Sequence, residues 1–373
     1  MLASNLLPTL RDYLARPAVL EALGIAPDTD WQLTFLAQGE YNINYLLIAE
    51  DRRLVVRVNV GTQIGKPGGE QIAYEAATLA LLGPHGVAPR LYYLDDTLAV
   101  LPYGLLAMEF LPGQPLRYDD PAQTAAAARI LARLHRVPAL ADTRFIRRRA
   151  LIDDLAEARG WLVPYLSCDR VPAPLHDCFA RILQRAEADA DRYADRFPAP
   201  FALVHTDVQA HNFIVTDERP TTNDESDQAA LDSLSSATGR PSSFVLRPSS
   251  LCCRLVDWER PLIDDPTYDL AHFLIATTTR WKCGYTFSAA EREHFLAAYC
   301  GARPDLDPAD IRERLRLRRP FILLRALSWC ASAWVEYTGA GRAIDNQDTL
   351  RKIEEYLQLS ELAALFPEWL DQR

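Results

Sequence analysis

The chain has 373 residues, of which 49% are hydrophobic and 24% charged, a composition typical of globular proteins rather than disordered or fibrous ones. Its 40 Lys and Arg residues against 50 Asp and Glu residues give a formal net charge of −10. This balance argues against a nucleic-acid-binding protein, because phosphate binding needs a concentrated basic face. No apolar run approaches the roughly 20 residues of a membrane span, and the N-terminal residues lack the apolar core of a signal peptide. We therefore expect a cytoplasmic protein without nucleic-acid or membrane partners.

Residues 31–60 are predicted to form strands. Residues 31–50 alternate apolar and polar side chains around a break at Gln38-Gly39, and residues 52–60 form a β-branched run. A glycine-rich loop follows, and the spacing of apolar residues then predicts a helix that stops at Gly83-Pro84. Two further strand-like runs complete a small antiparallel sheet in the first 110 or so residues, with one helix inserted after its third strand.

From about residue 120 the pattern becomes helical, with one short strand-like island. The island consists of residues 201–217 and 253–261, and a serine-rich, acidic segment splits it at 217–250. Such a segment cannot bury enough apolar surface to offset the entropy lost on ordering. The sequence therefore predicts a flexible insert at 217–250 between two strands.

The island carries the side chains that best predict chemistry. Asp207 and Asn212 lie five positions apart in a loop between two apolar runs, and Asp257 ends the next run. Carboxylate and amide oxygens suit a hard cation such as Mg²⁺, and a carboxylate can also accept a proton from a hydroxyl. If the two runs pair as a hairpin, Asp257 returns close to Asn212, and the three residues would form a divalent-metal and phosphate site.

At these residues the sequence resembles the aminoglycoside phosphotransferase and choline kinase group, whose fold is similar to that of protein kinases. Five motifs of that group occur here in the expected order. They are a nucleotide loop, a hinge, a catalytic loop, a metal-binding string and the string that follows it: Gly39-Glu40-Tyr41-Asn42, Met108-Glu109-Phe110-Leu111-Pro112-Gly113, His205-x-Asp207-x4-Asn212, Asp257-Trp258-Glu259 and Asp265-Pro266-Thr267-Tyr268-Asp269-Leu270-Ala271.

The resemblance implies an α+β, two-lobed protein-kinase-like fold, with a small antiparallel β-sheet N-lobe and a mainly helical C-lobe. We expect a nucleotide-binding lobe at 1–107, a hinge at 108–113, and a helical lobe at 114–373 that contains the catalytic loop and the insert. It also implies transfer of the γ-phosphoryl group of ATP or GTP, with Mg²⁺, to a hydroxyl of a small molecule.

The resemblance assigns roles to residues of the helical lobe. Asp207 would accept or orient the proton of the attacking hydroxyl, while Asn212 and Asp257 would hold Mg²⁺ on the nucleotide phosphates. His205 would brace the catalytic loop without acting as an acid or base. Asp269 would steady the same loop by hydrogen bonds, or cap the helix that follows.

In the sheet lobe, the resemblance implies five nucleotide-binding residues: Gly39, Asn42, Arg57, Glu75 and Glu109. The residue at position 57 falls where the group has its strand-three basic residue, with Glu75 as its helix partner. Arginine instead of lysine keeps a permanent charge and a bidentate fork for phosphate oxygens.

Other interpretations fit parts of the pattern. The loop at 61–66 is similar to a phosphate-binding P-loop, but its glycines are too close together and Pro67 follows the lysine. His205, Asp207 and His211 could ligate a transition metal, an interpretation that leaves the upstream motifs unexplained. A catalytically silent nucleotide-binding scaffold of the same fold is the main alternative from another class, and the intact catalytic and metal-binding residues favour the enzyme.

The acceptor cannot be read from the sequence. Asp119, Asp120, Asp264 and Asp265 would suit a cationic acceptor such as an aminoglycoside or an amino alcohol, although the sequence favours a solvated face for them. Sugars, nucleosides and amino-acid derivatives remain open. Gln209 stands two residues after Asp207, where protein kinases have lysine, which weakens the case for a protein substrate.

Overall fold

The computed structural model describes residues 2–39, 41–62, 65–66, 69–139, 141–198, 201–216, 251–339 and 347–370. Glu40 of the expected nucleotide loop lies outside the described residues, as does the whole of the insert predicted at 217–250. The strands and helices given below belong to the described part of the chain.

Five antiparallel strands form a sheet in the N-terminal part, each within a run that predicted a strand. They are β1 (Trp31–Gln38), β2 (Asn42–Ala49), β3 (Arg52–Asn59), β4 (Leu91–Asp95) and β5 (Gly104–Glu109). Their spatial order is β1-β2-β3-β5-β4. A helix, α3 (Gly69–Leu82), is inserted after the third strand, as predicted. Since β5 ends at Glu109, the sheet extends into the expected hinge at 108–113.

Two further helices, α1 (Leu2–Leu14) and α2 (Pro17–Leu23), cover one face of this sheet. Leu10 of α1 packs in the same apolar cluster as Ile43 of β2. The sequence did not predict α1, because Pro8 interrupts its helical pattern. The opposite face of the sheet packs against α3 and joins the main hydrophobic core of the helical part.

The rest of the chain is mainly helical, as expected for the second lobe. Asp120 begins this part as the N-cap of its first helix, accepting hydrogen bonds from two main-chain N–H groups. The helices are α4 (Pro121–Leu134), α5 (Ile152–Leu166), α6 (Ala173–Tyr193), α7 (Thr267–Leu274), α8 (Ala276–Cys283), α9 (Ala289–Gly301), α10 (Pro308–Thr338), α11 (Gln347–Tyr356), α12 (Leu359–Leu365) and α13 (Pro367–Leu370).

The longest of these helices, α10, contains buried arginines that pair with buried carboxylates. Across the described ranges, no helix combines the length and the apolar character needed to cross a lipid bilayer.

Two small sheets lie between the five-stranded sheet and the helices, and they position the predicted site. One consists of β6 (Gln114–Pro115), β8 (Phe213–Thr216) and β9 (Cys252–Leu255), and the other pairs β7 (Ala202–Val204) with β10 (Leu262–Asp264). Strands β8 and β9 are antiparallel, with Phe213 opposite Leu255 and Thr216 opposite Cys252. This confirms the predicted pairing, and it brings the residues before β8 next to those after β9.

Candidate active site

The loop between β7 and β8 contains Asp207, and its backbone is held in an uncommon conformation. Thr206 has φ 74°, in the left-handed region that residues with a side chain seldom adopt. Asp257, on the neighbouring loop after β9, has φ 70°. Such conformations cost free energy and persist only where surrounding contacts hold them. Contacts around both loops must therefore offset this cost.

Asp269 supplies much of that constraint. Its Oδ2 accepts from the main-chain N–H of His205 at 2.8 Å, and its Oδ1 accepts from that of Thr206 at 2.9 Å. His135, at the end of α4, lies 3.1 Å from the same carboxylate and 2.9 Å from the Tyr299 hydroxyl. Burial opposes the charge of Asp269, but these hydrogen bonds and the nearby histidines hold its pKa below its ordinary value.

Asp269 lies inside the first turn of α7 and is not its N-cap, a position that Pro266 occupies. Of the two roles expected for Asp269, the hydrogen bonds therefore correspond to steadying the loop.

His205 braces the loop through both of its ring nitrogens. Its Nε2 lies 2.9 Å from the main-chain carbonyl oxygen of Val256, and its Nδ1 is 3.3 Å from the main-chain N–H of Asp207. A ring that donates from Nε2 and accepts at Nδ1 is the neutral Nε2–H tautomer. The ring also packs against Trp258, with centroids 4.3 Å apart. Since both nitrogens are engaged, His205 is not a free metal ligand, which counts against the transition-metal interpretation.

The Asp207 carboxylate is exposed at the cleft and oriented by two amides. Its side chain is 44% exposed, and its Oδ2 accepts from Asn212 Nδ2 at 2.9 Å and from Gln209 Nε2 at 3.0 Å. Asn212 Nδ2 also donates to the main-chain carbonyl of Asp207 at 2.8 Å. The main-chain N–H of Val256 donates to the carbonyl of Asn212, which fixes the Asp257 loop beside this one.

The imidazole of His272 lies next to the Asp207 carboxylate, and the sequence had not indicated His272 as a site residue. Its Nε2 is 3.8 Å from Asp207 Oδ1, and its buried Nδ1 has no hydrogen-bond partner among the described residues. Burial lowers the pKa of His272 to about 4, against an opposing effect of the Asp207 charge. The ring is thus neutral near pH 7. Its place three residues after Asp269, on the same face of α7, was the available signal.

Arg57 of β3 connects the sheet lobe to the Asp257 loop. Its Nη1 donates to Glu75 of α3 at 2.6 Å and to Asp257 at 2.9 Å, while its Nε donates to Asn44 at 3.0 Å. Arg57 is almost fully buried, whereas the Asp257 side chain is 36% exposed. The expected Arg57–Glu75 pair is therefore present, and it extends to the carboxylate expected to bind metal.

Glu259 adds a third carboxylate to this group. Asn42 donates to its side chain, Asn42 in turn accepts from Asn59 at 2.9 Å, and Gln71 donates to the main-chain carbonyl of Glu259 at 2.8 Å. Burial raises the pKa of Glu75 to about 7 and that of Glu259 to about 8, because one guanidinium cannot offset three carboxylates. Glu259 belongs to the metal-binding string of the motifs, but the sequence assigned it no role.

The remaining two predicted nucleotide residues lie apart from this group. Gly39 follows β1, and its main-chain N–H donates to the carbonyl of Asn42 at 2.9 Å, which closes the turn between β1 and β2. The Glu109 carboxylate is engaged by both Nη atoms of Arg254, at 2.7 and 2.9 Å. Any contribution of Glu109 to nucleotide binding would therefore come from its main chain, not from its side chain.

The acidic residues proposed to attract a cationic acceptor do not form an open acidic surface. Asp264 and Asp265 are fully buried, and each forms an ion pair with an arginine of α10, Arg318 and Arg314 respectively. For these two residues both suggestions from the sequence, a cation site and a solvated face, are wrong.

The other two acidic residues have local roles on the surface. Asp119 pairs with Arg117 in solvent, and Asp120 caps α4.

The side chains at the junction of the two loops can hold a hard cation. Asn212 and Asp257 offer only oxygen ligands, since the Asn212 nitrogen is already engaged. Across the described part of the chain no three His, Cys, Asp or Glu side chains converge on one point as a metal site. Magnesium would therefore need phosphate oxygens and water to complete its coordination, as it usually does on nucleotides. The donor set fits that ion.

Comparison with known proteins agrees with this geometry. The profile of the phosphotransferase enzyme family matches residues 32–222, which is about half of the chain. A comparison with curated proteins gave no significant match.

Solved structures of several phosphotransferases share the fold at low sequence identity. Plasmodium vivax ethanolamine kinase is 16% identical, with a TM-score of 0.63, over 97% of this chain and 90% of that one. The ADP-bound aminoglycoside phosphotransferase APH(2'')-Ib is 15% identical, with a TM-score of 0.55, over 94% and 99%. Macrolide 2′-phosphotransferase from Brachybacterium faecium is 18% identical, with a TM-score of 0.55, over 99% and 100%.

These structural matches cover at least 94% of this chain, whereas the family profile ends at residue 222. They confirm the two-lobed, protein-kinase-like α+β fold expected from the motifs, with its antiparallel sheet and mainly helical second part. The chain belongs to the phosphotransferase enzyme family.

Proposed function

We propose that the protein transfers the γ-phosphoryl group of ATP or GTP to a hydroxyl of a small molecule, with Mg²⁺. The observation that carries this proposal is the meeting of residues from distant parts of the chain in one cleft. From the sheet lobe, Arg57 is held by Glu75 and donates to Asp257. In the helical lobe, Asn212 donates to Asp207, and its main-chain carbonyl accepts from Val256, the residue before Asp257. Structural neighbours with ADP or with small-molecule acceptors in their names support the same activity.

The nucleotide end of the cleft is formed by Arg57, Asn212 and Asp257. The contacts described for Arg57 use Nε and Nη1, and we expect Nη2 to reach a phosphate oxygen. Asn212 and Asp257 would hold magnesium, which when bound neutralises charge on the phosphate oxygens. Glu75 keeps the guanidinium in place, because an ion pair of 2.6 Å between two buried side chains leaves little freedom.

The acceptor end is formed by Asp207. Its exposed carboxylate is oriented by Asn212 and Gln209, so a hydroxyl entering the cleft can donate its proton to it. Neutral His272 lies behind the carboxylate and adds no charge that would compete with the hydroxyl. The protein would thus bind, orient and deprotonate the acceptor with the residues of one loop.

A panel assay tests the proposal. Hydroxyl-bearing metabolites and antibiotics are incubated with the protein, Mg²⁺ and either ATP or GTP, and ADP or GDP release is measured with and without each compound. We expect at least one acceptor to stimulate release and to appear phosphorylated by mass spectrometry. Tight nucleotide binding without transfer to any acceptor would instead support the silent-scaffold alternative.

A cytoplasmic location and the domain boundaries at 107 and 114 stay predictions.

A further inference from the structure

Three arginines surround one glutamate on the acceptor side of the cleft. Glu157 of α5 forms ion pairs with Arg148 at 2.5 Å, with Arg260 at 2.5 Å and with Arg325 of α10 at 3.4 Å. Burial opposes the charge of Glu157, but the guanidiniums outweigh it and lower the pKa to about 2. At neutral pH the single negative charge of Glu157 is therefore shared by three guanidinium groups.

The neighbouring carboxylates do not make up the difference. Asp154 lies 3.3 Å from Arg148, but it also pairs with Arg318 at 3.0 Å. Arg318 also forms an ion pair with Asp264. The side chains of Asp154, Asp264 and Arg318 are all fully buried. The group as a whole holds one more cation than anions: Arg148, Arg260, Arg318 and Arg325 against Asp154, Glu157 and Asp264.

A second observation points to a missing partner in the same place. The hydroxyl of Tyr268 is fully buried and has no hydrogen-bond partner among the described residues. The guanidinium of Arg325 lies 5.8 Å from the centre of the Tyr268 ring and that of Arg318 lies 5.0 Å from it, so Tyr268 packs within this group of arginines. An unpaired buried hydroxyl costs free energy unless something completes its hydrogen bonding. A group with acceptor oxygens would satisfy both the hydroxyl and the surplus guanidinium.

The arginine group lies next to the reacting end of the cleft. The main-chain carbonyl of Arg260 accepts from the hydroxyl of Thr206, the residue before Asp207, at 2.9 Å. Arg325 lies on α10, which packs against α7, and on α7 the Nε2 atom of His272 lies 3.8 Å from Asp207 Oδ1. The Arg260 and Arg325 side chains are 14% and 11% exposed, so they are reachable from solvent.

In a purely structural network each charged side chain would be neutralised by a partner within the network, as in the neighbouring ion pairs. Arg318 and Asp264 are both fully buried and share two hydrogen bonds, of 2.7 and 2.8 Å. The group around Glu157 is partly exposed and has one more positive than negative charge. It also packs against Tyr268, whose hydroxyl has no hydrogen-bond partner among the described residues. Guanidiniums in a planar fork match carboxylate and phosphate oxygens.

Building on the proposed function, we propose that the acceptor is an anionic hydroxyl compound, whose carboxylate or phosphate group binds Arg260 and Arg325 while its hydroxyl faces Asp207. This acceptor class differs from the cationic one considered from the sequence. Without an acceptor, Glu157 is the counter-ion of these arginines. When the acceptor binds, Arg260 and Arg325 interact with both Glu157 and the anionic group of the acceptor.

Binding is measured first, in the Asp207→Asn variant with ADP and Mg²⁺, so that the test does not depend on turnover. Hydroxy acids and sugar phosphates are each compared with the neutral amide or the dephosphorylated sugar, by thermal shift and calorimetry. We expect an anionic compound to bind and its neutral counterpart to bind at least tenfold more weakly. The two sets of compounds distinguish a carboxylate from a phosphate.

Substitutions then locate the site. Arg325→Gln and Arg260→Gln should each weaken anion binding at least tenfold, while ADP binding stays unchanged. Glu157→Gln should strengthen anion binding, because it removes the competing carboxylate. The control is Arg312→Gln on the same helix, an exposed arginine paired with Glu293, which should leave binding unchanged.

The outcomes separate this inference from the proposed function. Anion binding that is insensitive to both arginine substitutions, binding weakened by Glu157→Gln, or a preference for neutral or cationic compounds would each overturn the anionic-acceptor proposal. If a neutral or cationic compound is phosphorylated and no anionic one is, the phosphotransfer proposal stands and the anionic-acceptor proposal fails. If anions bind through Arg260 and Arg325 and no compound of any charge is phosphorylated, the phosphotransfer proposal fails.

Discussion

The amide of Asn212 donates to the Asp207 carboxylate from 2.9 Å and to the Asp207 main-chain carbonyl from 2.8 Å. One side chain thus fixes both the orientation of the carboxylate and the curvature of the loop that presents it. Because the nitrogen of Asn212 is occupied, its oxygen is the atom left for a cation. The contact couples the acceptor end of the cleft to the metal end.

The first prediction concerns Asp207. In Asp207→Asn the new amide oxygen can still accept from Asn212, so the loop should keep its shape while the proton acceptor is lost. Transfer should fall by about 10²–10⁴-fold, the usual contribution of a positioned base, with nucleotide binding retained. Steady-state kinetics and nucleotide titration measure the two effects. Asp119→Asn on the exposed surface is the control, and full activity of Asp207→Asn would rule out the assigned role.

A second prediction concerns Asp257. Asp257→Ala removes an anionic ligand of a hard cation and one partner of Arg57. We expect Mg²⁺-dependent turnover to be abolished and nucleotide binding in the presence of Mg²⁺ to weaken. Titrating Mg²⁺ against bound nucleotide in both proteins measures this. An unchanged Mg²⁺ dependence would show that other residues hold the ion.

The third prediction is a pH dependence of stability caused by His272. Its folded-state pKa of about 4 lies below the unfolded value near 6.5. Between these values the unfolded chain binds more protons, so stability falls as the pH drops from about 6.5 to 4, by at most about 3 kcal/mol. His272→Gln lacks this titration and should lose less stability over that range.

Urea unfolding of the wild type and of His272→Gln between pH 7.5 and 4 measures the difference. His85→Gln, at an exposed position, controls for loss of an imidazole from the surface. Parallel stability curves for the wild type and His272→Gln would contradict the buried neutral state of His272.

A fourth prediction follows from the pairing of Thr216 with Cys252. Adjacent strand ends can be joined by a short turn, and the entropy of loop closure changes by only about 0.6 kcal/mol per doubling of length. Replacing residues 218–249 with Asn-Gly should therefore preserve the fold, nucleotide binding and phosphoryl transfer. Thermal unfolding and acceptor kinetics of the shortened and full chains test this. A rise of more than about tenfold in the acceptor KM, with nucleotide binding unchanged, would place the insert in the acceptor site.

Local patterns predicted the elements and the loops of the candidate site well. The strand runs were visible because alternation reflects burial of one face of a sheet, and the catalytic loop because Asp207, Asn212 and Asp257 have fixed spacings from strands that had to pair. The pairing of Arg57 with Glu75 was implied by the family resemblance, and the structure contains it.

Long-range partners were not predictable in the same way. Glu109 was expected at the nucleotide, but its carboxylate pairs with Arg254, which lies 145 residues later. Asp264 was considered open to solvent, whereas Arg318 of α10 buries it. Which charged side chains meet depends on how helices pack against each other, and the local sequence does not contain that information.

Two buried polar networks serve the cleft without sharing a side chain. One joins Asp269, His135 and Tyr299 and sets the position of the catalytic loop. The other joins Glu157 of α5 to Arg148, Arg260 and Arg325. The two networks meet at Thr206, whose main-chain N–H donates to Asp269 and whose hydroxyl donates to the main-chain carbonyl of Arg260. The second of these bonds does not depend on which side chain stands at position 260. If the proposed acceptor site is correct, directed evolution confined to the side chains of Arg260, Arg325 and Glu157 should change the acceptor while the first network keeps the Asp207 loop in place.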